Sequence, residues 1–242
     1  MAVVWQSFAA RCFSLPLRPV AQVILFLTVW VIYLGDRLLD VRHPPTASES
    51  PRHRFYRRHR RLAFILLTLA IAAASALCLL ELRPAVLRTG CLALTGVLAY
   101  LALVHLYDVH VFFPKQLAAA LLFAGGTFAA PWALCPDPVR ILLIPWGFFA
   151  VLCLGNLVAI EGWESEVPPQ LLTRTLEEYL RLWMPAVAVA ALAFVGKPYY
   201  QAVAASAAAI TAISIWEEQL SLDLRRVLVD AALLTPLLFY WL

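Results

Sequence analysis

The sequence predicts an all-α membrane protein, a polytopic bundle of eight to nine transmembrane helices. Three observations support this fold class: 63% of the 242 residues are hydrophobic, 14% are charged, and the mean hydropathy is +0.81. A soluble domain averages about half apolar and about a quarter charged residues. The apolar residues are also gathered into long segments, whereas a membrane barrel needs many short alternating ones.

A helix needs about 20 apolar residues to cross the hydrocarbon core of a bilayer. Eight segments come close to this length or reach it, and the sixth of them is short. They are residues 20–36, 62–82, 86–106, 116–135, 140–160, 182–196, 199–216 and 226–242. With no sign of a soluble domain, we expect residues 1–242 to form a single integral membrane domain.

The first 19 residues form a separate case, because Met1 to Phe13 is apolar but too short to span. This stretch lacks the basic start and the cleavage pattern of a signal peptide. It can be an interfacial helix, a half-helix, or the tail of a spanning helix whose front half is lost through a wrong start site. The last two interpretations are favoured equally, and both give a partial first helix.

Charged residues fall mainly on one side of the predicted bundle. Eight arginines lie between Arg37 and Arg61, and nearly all the carboxylates map to the same face. Because arginine and lysine accumulate in cytoplasmic loops, we expect residues 37–61 to form a basic cytoplasmic loop. The acidic motifs then face the cytoplasm, and we expect the protein to lie in the inner membrane of the cell. The far face carries short proline-containing connections typical of helix reversals.

The first acidic motif closes the first apolar segment with the sequence Tyr33-Leu34-Gly35-Asp36-Arg37-Leu38-Leu39-Asp40. Asp36 and Asp40 are four residues apart, so they share one face of a continuing helix. Carboxylates beside a bilayer are costly unless they have a partner. A divalent cation such as Mg²⁺ is one such partner. A local salt bridge to Arg37 or Arg42 is the alternative, and spacing alone leaves both open.

Basic side chains follow in the next two loops. The arginines near Arg52 and Arg54 offer forked donors that suit phosphate oxygens. Arginine runs beside a membrane also bind anionic lipid and fix topology, which is the competing interpretation. Lys115, directly before an apolar segment, is either a phosphate contact or a snorkelling anchor. Nucleic acid fits poorly beside a helix bundle, so we expect no nucleic acid partner.

A second acidic motif follows the fifth apolar segment. Glu161, Glu164 and Glu166 lie within six positions, and Asn156 lies just inside the segment, where its amide needs a partner. The glutamates are either a second carboxylate cluster or a solvated acidic loop. Further along, Ser221 is placed to cap the last helix, with Asp223 in its first turn. Asp230, one turn inside the last segment, can snorkel, pair with an arginine or face a polar cavity.

This arrangement resembles the UbiA family of intramembrane prenyltransferases, which are all-helical bundles with acidic motifs on separate helices. The last two acids of the family's first motif match Asp36 and Asp40, and its common intervening arginine matches Arg37. The arginine-bearing loop resembles the segment containing Arg52 and Arg54, and the lysine of the next loop resembles Lys115. The leading Asn and Asp of the family fall on Ile32 and Tyr33, and glutamates replace the usual second-motif aspartates, so the chain resembles a divergent member.

The resemblance implies transfer of a prenyl group from an isoprenyl diphosphate to a lipophilic acceptor. Mg²⁺ is the implied cofactor, membrane lipids are further partners, and Tyr33 can stabilise an allylic cation with its ring. The alternative is a non-catalytic UbiA-like protein that binds lipid or a protein partner. A small transporter is less favoured, because the acids cluster at one face and no pair of broken helices is evident. The implied roles fall on the following residues: catalysis on Asp36 and Asp40; metal binding on Asp36, Asp40, Glu161, Glu164 and Glu166; diphosphate binding on Arg37, Arg52, Arg54 and Lys115; and supporting contacts on Tyr33 and Asn156.

Overall fold

The computed structural model describes residues 1–40, 51–107, 115–164, 171–194 and 196–240. Within these ranges the chain is helical, and no strand occurs. The all-α fold class is therefore confirmed for the described part of the chain. A short 3-10 turn, Glu217–Gln219, lies between two of the helices. The α-helices are α1 Ala2–Cys12, α2 Pro19–Asp40, α3 Pro51–Arg58, α4 Arg60–Glu81, α5 Pro84–Tyr107, α6 Lys115–Leu134, α7 Pro138–Glu164, α8 Leu171–Glu178, α9 Leu180–Leu192, α10 Pro198–Ile215, α11 Leu222–Ala232 and α12 Pro236–Phe239.

Five of these helices are long and apolar enough to cross a membrane, judged by length and composition. They correspond to the first five predicted segments, so the prediction of an integral membrane protein is supported. Many of their large apolar side chains are exposed, as expected where lipid replaces water. The five candidate spans are Pro19–Leu39, Arg60–Glu81, Pro84–Leu103, Lys115–Leu134 and Pro138–Glu164.

The last three predicted segments take a different form. The sixth becomes α9, whose 13 residues give a length of about 20 Å, shorter than the roughly 30 Å hydrocarbon core. The seventh becomes α10, with 18 residues. The eighth is divided into α11 and α12, because Pro236 has no backbone N–H and its ring crowds the carbonyl of Ala232. The count of eight to nine spanning helices remains a prediction.

Proline marks the predicted helix reversals. Helices α5, α7 and α10 begin at Pro84, Pro138 and Pro198, and their bounds confirm the short connections expected there. A proline suits the first helical position, since its missing N–H would have no partner there and its φ is already helical.

The chain divides into two compact units, and residues Arg18–Leu87 form the smaller one. Its helices α2 and α4 pack together, with α3 beside them. The buried apolar contacts come from Leu34, Leu38 and Ala63, with Tyr56 packed against them. Helix α2 continues through Asp40, and α3 shows that the back half of the predicted basic loop is helical.

The larger unit comprises Met1–Leu17 and Arg88–Leu242. Helix α1 lies in its core, where Trp5, Phe8 and Ala9 are at most 1% exposed. It packs on α6, α10 and α12. This burial differs from that of an interfacial helix, whose apolar face lies in lipid. The half-helix and the tail of a longer spanning helix both remain predictions.

Trp5 gives the first prediction. Its indole N–H donates to the carbonyl of Leu233 at 2.8 Å, and its ring lies 4.9 Å from that of Phe149. Trp5→Ala removes a fully buried ring and leaves that carbonyl unpaired, so we expect a loss of about 3–5 kcal/mol in the free energy of unfolding. Thermal unfolding in detergent measures this loss of stability. Trp216→Ala is the control, because Trp216 is 57% exposed. Equal melting temperatures for the two variants would contradict the prediction.

Candidate functional site: the charged end of helix α7

The C-terminal end of α7 carries the second acidic motif, and the neighbouring helix supplies its first partner. Lys115, the first residue of α6, places its Nζ atom 3.0 Å from Oε1 of Glu161. The two side chains are partly exposed. The structure thus brings together a residue predicted to bind phosphate and a residue predicted to bind metal.

Glu164 has a cationic partner that the sequence analysis did not single out. Nε of Arg226 lies 2.5 Å from Oε1 of Glu164, and its Nη1 lies 3.2 Å from Oδ1 of Asp223. The contact with Glu164 joins α11 to the end of α7, whereas the contact with Asp223 lies within α11. Ser221 caps this helix as predicted, because its hydroxyl oxygen accepts from the N–H of Leu224.

Glu217, also without a predicted role, links α7 to α9. One carboxylate oxygen accepts from the indole N–H of Trp163 at 2.8 Å, and the other accepts from Arg181 at 2.7 Å. The guanidinium of Arg225 lies over the ring of Trp163, 6.0 Å from its centroid. The end of α7 is therefore where α6, α9, the 3-10 turn and α11 meet through charged contacts. The alternation of acids and arginines in the last loops is the sequence signal that could have indicated these contacts.

Glu177 in α8 is electrostatically unfavourable at this charged end. Burial raises the pKa of its carboxyl above the usual value, and Glu178, Glu217 and Glu161 raise it further, against an opposing effect of Arg174. Gly162 lies so close to Glu177 that an added Cβ would collide with that side chain. The carboxylate is thus held near like charges by the close approach of α7 and α8.

Glu177→Gln tests this repulsion. A carboxyl whose pKa is higher in the folded state than in the unfolded state favours folding at low pH, and this advantage is lost as pH rises through the two values. Removing the charge should therefore raise the melting temperature at pH 7 and have less effect near pH 4. Thermal unfolding at both pH values measures the change in melting temperature. Glu218→Gln is the control, because Glu218 is exposed. A larger gain at pH 4 than at pH 7 would contradict the assignment.

Deeper along α7, Asn156 finds the partner that its position required. Its Nδ2 donates to Oδ1 of Asp230 on α11 at 3.2 Å. Asn156 is only 5% exposed, whereas Asp230 is exposed. Three possibilities were raised for Asp230: snorkelling, pairing with an arginine, or facing a polar cavity. Among the described residues its partner is the amide of Asn156 and not an arginine.

The first acidic motif lies in the smaller unit. Asp36 and Asp40 belong to the same continuous helix, as their spacing predicted, and Asp40 is its last residue. Nη2 of Arg37 lies 4.0 Å from Oδ2 of Asp36, and its guanidinium lies over the ring of Tyr33 at 5.3 Å. Tyr33 also shares a side-chain hydrogen bond with Tyr56, which joins α2 to α3.

Several predicted residues are described only in part. Arg52 and Arg54 lie in α3, and their side chains, like that of Asp40, fall outside the described part of the structure. Glu166 lies outside the described residues altogether. Among the side chains that are described, no group of three His, Cys, Asp or Glu residues is close enough to hold a metal ion. Asp36, Glu161 and Glu164 nevertheless offer the carboxylate oxygens that Mg²⁺ prefers.

Comparison of the chain with protein-family models, with curated proteins and with solved structures found no match. The resemblance to the UbiA family therefore stays a prediction from the sequence motifs.

Proposed function

We propose that the protein is a UbiA-like intramembrane prenyltransferase, which moves a prenyl group from an isoprenyl diphosphate to a lipophilic acceptor. The observation that supports it most is the contact between Lys115 and Glu161. It joins the residue that resembles the family's lysine to the first glutamate of the second acidic motif. The helical continuity of Asp36 and Asp40 adds support from the other motif.

Each acidic motif has a defined part in this proposal. On α2, Asp36 and Asp40 would bind Mg²⁺, while Arg37, Arg52 and Arg54 would contact the diphosphate. At the end of α7, Glu161, Glu164 and Glu166 would bind Mg²⁺, and Lys115 would contact the diphosphate. Bound Mg²⁺ supplies positive charge that stabilises the departing diphosphate.

The remaining parts of the chain would bind and shield the prenyl group. The C1–O bond of the isoprenyl diphosphate breaks, diphosphate leaves with the electron pair, and the acceptor forms the new bond to C1. An apolar helical surrounding keeps water from the allylic carbon during this step. Tyr33 would stabilise developing positive charge with its ring face, which in the structure contacts Arg37, while its side chain interacts with Tyr56.

A turnover measurement tests the proposal. Membranes containing the full chain are incubated with radiolabelled geranyl, farnesyl or geranylgeranyl diphosphate, Mg²⁺ and a panel of lipophilic phenols and quinols. We expect diphosphate release matched by a labelled product that extracts into organic solvent, and neither in EDTA. Hydrolysis to the free prenyl alcohol without a transfer product would contradict the proposal.

The second candidate is a non-catalytic UbiA-like protein that binds lipid or a protein partner. The observation that favours it is that Glu161 and Glu164 each already contact a cation of the same chain. In this case the charged contacts at the end of α7 would serve only to join helices. A folded protein that binds lipid and does not bind isoprenyl diphosphate would favour this candidate.

Membrane lipids are partners under both candidates. The exposed residues Arg58, Arg60 and Arg61 stand directly before Leu62 and Phe64, which are exposed apolar residues of a candidate span. Such a basic segment beside a span suits the phosphate groups of anionic lipids. Localisation to the inner membrane with this segment facing the cytoplasm remains part of the proposal.

A further inference from the structure

Asp230 contacts α7 through Asn156, away from the charged C-terminal end of that helix. Asn156, its partner, lies eight residues before Glu164 and so about 12 Å along the helix. Asn156 belongs to the candidate span Pro138–Glu164. An ionisable side chain within a membrane is costly and usually functional.

The surroundings of Asp230 are fixed by helix contacts. Arg226, one turn earlier on α11, contacts Glu164 at the end of α7. After Asp230, the segment between α11 and α12 is fixed by Trp5, whose indole N–H donates to the carbonyl of Leu233. Thr235 donates to the carbonyl of Ala202 at 2.9 Å. Asp230 therefore sits on a helix whose two ends are both anchored, which suits a preformed binding group.

The carboxylate is not fully satisfied by these contacts. Asn156 donates one hydrogen bond to Oδ1, and the amino group of Met1 interacts electrostatically with Asp230. A carboxylate can accept at about four positions on its two oxygens. Asp230 is exposed, so part of its carboxylate remains accessible beside Asn156 of a candidate span.

We propose that Asp230 and Asn156 bind the hydroxyl group of a lipophilic ligand, with the carboxylate accepting the hydroxyl hydrogen. A neutral hydroxyl group is easier to remove from water than an ammonium group where Asp230 meets Asn156 of an apolar candidate span. Under the proposed function this ligand is the prenyl acceptor. That identification rests on the transferase proposal, whereas the hydroxyl binding itself does not.

For a phenolic acceptor the carboxylate would also act in the reaction. The phenol oxygen forms a bond to C1 of the prenyl group as the C1–O bond to diphosphate breaks. The phenol O–H bond breaks at the same time, and its proton passes to the Asp230 carboxylate. Atoms and charge balance, because diphosphate leaves with the electron pair of the broken bond. Proton transfer to a positioned side chain contributes about 10²–10⁴-fold in typical cases.

The binding test uses three probes that differ in their head groups. Full-length protein in nanodiscs is titrated with tritiated 4-dodecylphenol, and unlabelled dodecylbenzene and dodecylammonium compete, with empty nanodiscs as background. We expect dodecylphenol to bind about 10- to 100-fold more tightly than dodecylbenzene, as a hydrogen bond to a charged group provides. Asp230→Asn and Asn156→Leu should each reduce this preference about tenfold or more, with the melting temperature verifying the fold.

Asp223→Asn is the matched control, since it makes the same change at an exposed carboxylate seven residues earlier on α11, where the partner is Arg226. It should leave the preference for dodecylphenol unchanged. Equal affinity of the wild-type protein for dodecylphenol and dodecylbenzene would overturn the inference, as would a preference for dodecylammonium or an unchanged preference in Asp230→Asn.

A second titration, with farnesyl diphosphate and Mg²⁺, separates this inference from the transferase proposal. Asp230→Asn should retain wild-type affinity for farnesyl diphosphate, because it changes only the hydroxyl site. Binding of farnesyl diphosphate without any preference for dodecylphenol would overturn the hydroxyl site alone. Binding of dodecylphenol through Asp230 without binding of farnesyl diphosphate would support the hydroxyl site and overturn the transferase.

Discussion

Asp36→Asn is expected to lower the rate of prenyl transfer by about 100-fold or more. The substitution keeps the size of the side chain and removes the charge that would hold Mg²⁺ beside the departing diphosphate. The side chain of Asp36 is 35% exposed and lies 4.0 Å from the guanidinium of Arg37, and thermal unfolding of the variant verifies its fold. Initial rates at saturating Mg²⁺ and farnesyl diphosphate measure the effect.

Asp137→Asn is the control for this substitution. Asp137 is an exposed carboxylate directly before α7, where it accepts from the N–H of Arg140 at 3.3 Å. We expect a rate close to that of the wild-type protein. If Asp36→Asn retained the wild-type rate, the first motif would have no part in the chemistry, and the assignment of Asp40 with it would be contradicted.

Lys115→Met is expected to weaken binding of isoprenyl diphosphate about 10- to 100-fold, because it removes a charged donor to phosphate oxygens. The melting temperature should change little, since an ion pair as exposed as Lys115 with Glu161 contributes about 1 kcal/mol or less. Isothermal titration with farnesyl thiodiphosphate measures the affinity, and thermal unfolding of the same samples measures stability. Lys197→Met, at a lysine over the ring of Phe13, is the control.

An exchange of the two charges distinguishes a binding role from a structural one. The double variant Lys115→Glu with Glu161→Lys re-forms the ion pair in the opposite sense. If the pair only joins α6 to α7, the exchange should restore all properties of the wild-type protein. We expect it to restore the melting temperature and to leave the affinity for diphosphate low. Restored affinity would show that Lys115 and Glu161 serve structure alone.

Composition and periodicity were sufficient to predict the helical membrane class and five long apolar helices. The proline positions also predicted the reversals before Pro84, Pro138 and Pro198. The division of the last segment at Pro236 into α11 and α12 was not predicted, because the segment was identified by its apolar composition alone.

The sequence predicted the acidic residues of the candidate site but not the residues that contact them. Asn156 was recognised as an amide that needs a partner, yet only the fold places it beside Asp230, 74 residues away in the sequence. The contacts of Glu164 with Arg226 and of Trp163 with Glu217 likewise join distant segments. Long-range pairs of this kind depend on helix packing, which a single sequence does not specify.

Binding of farnesyl diphosphate to the purified protein tests the central claim most directly. The titration compares the wild-type protein with the double variant Asp36→Ala, Asp40→Ala, each with Mg²⁺ and with EDTA. The prenyltransferase account predicts binding by the wild-type protein in Mg²⁺, and its loss both in EDTA and in the variant. A folded, monodisperse wild-type protein that does not bind, or that binds without regard to Mg²⁺ and the two aspartates, would contradict it.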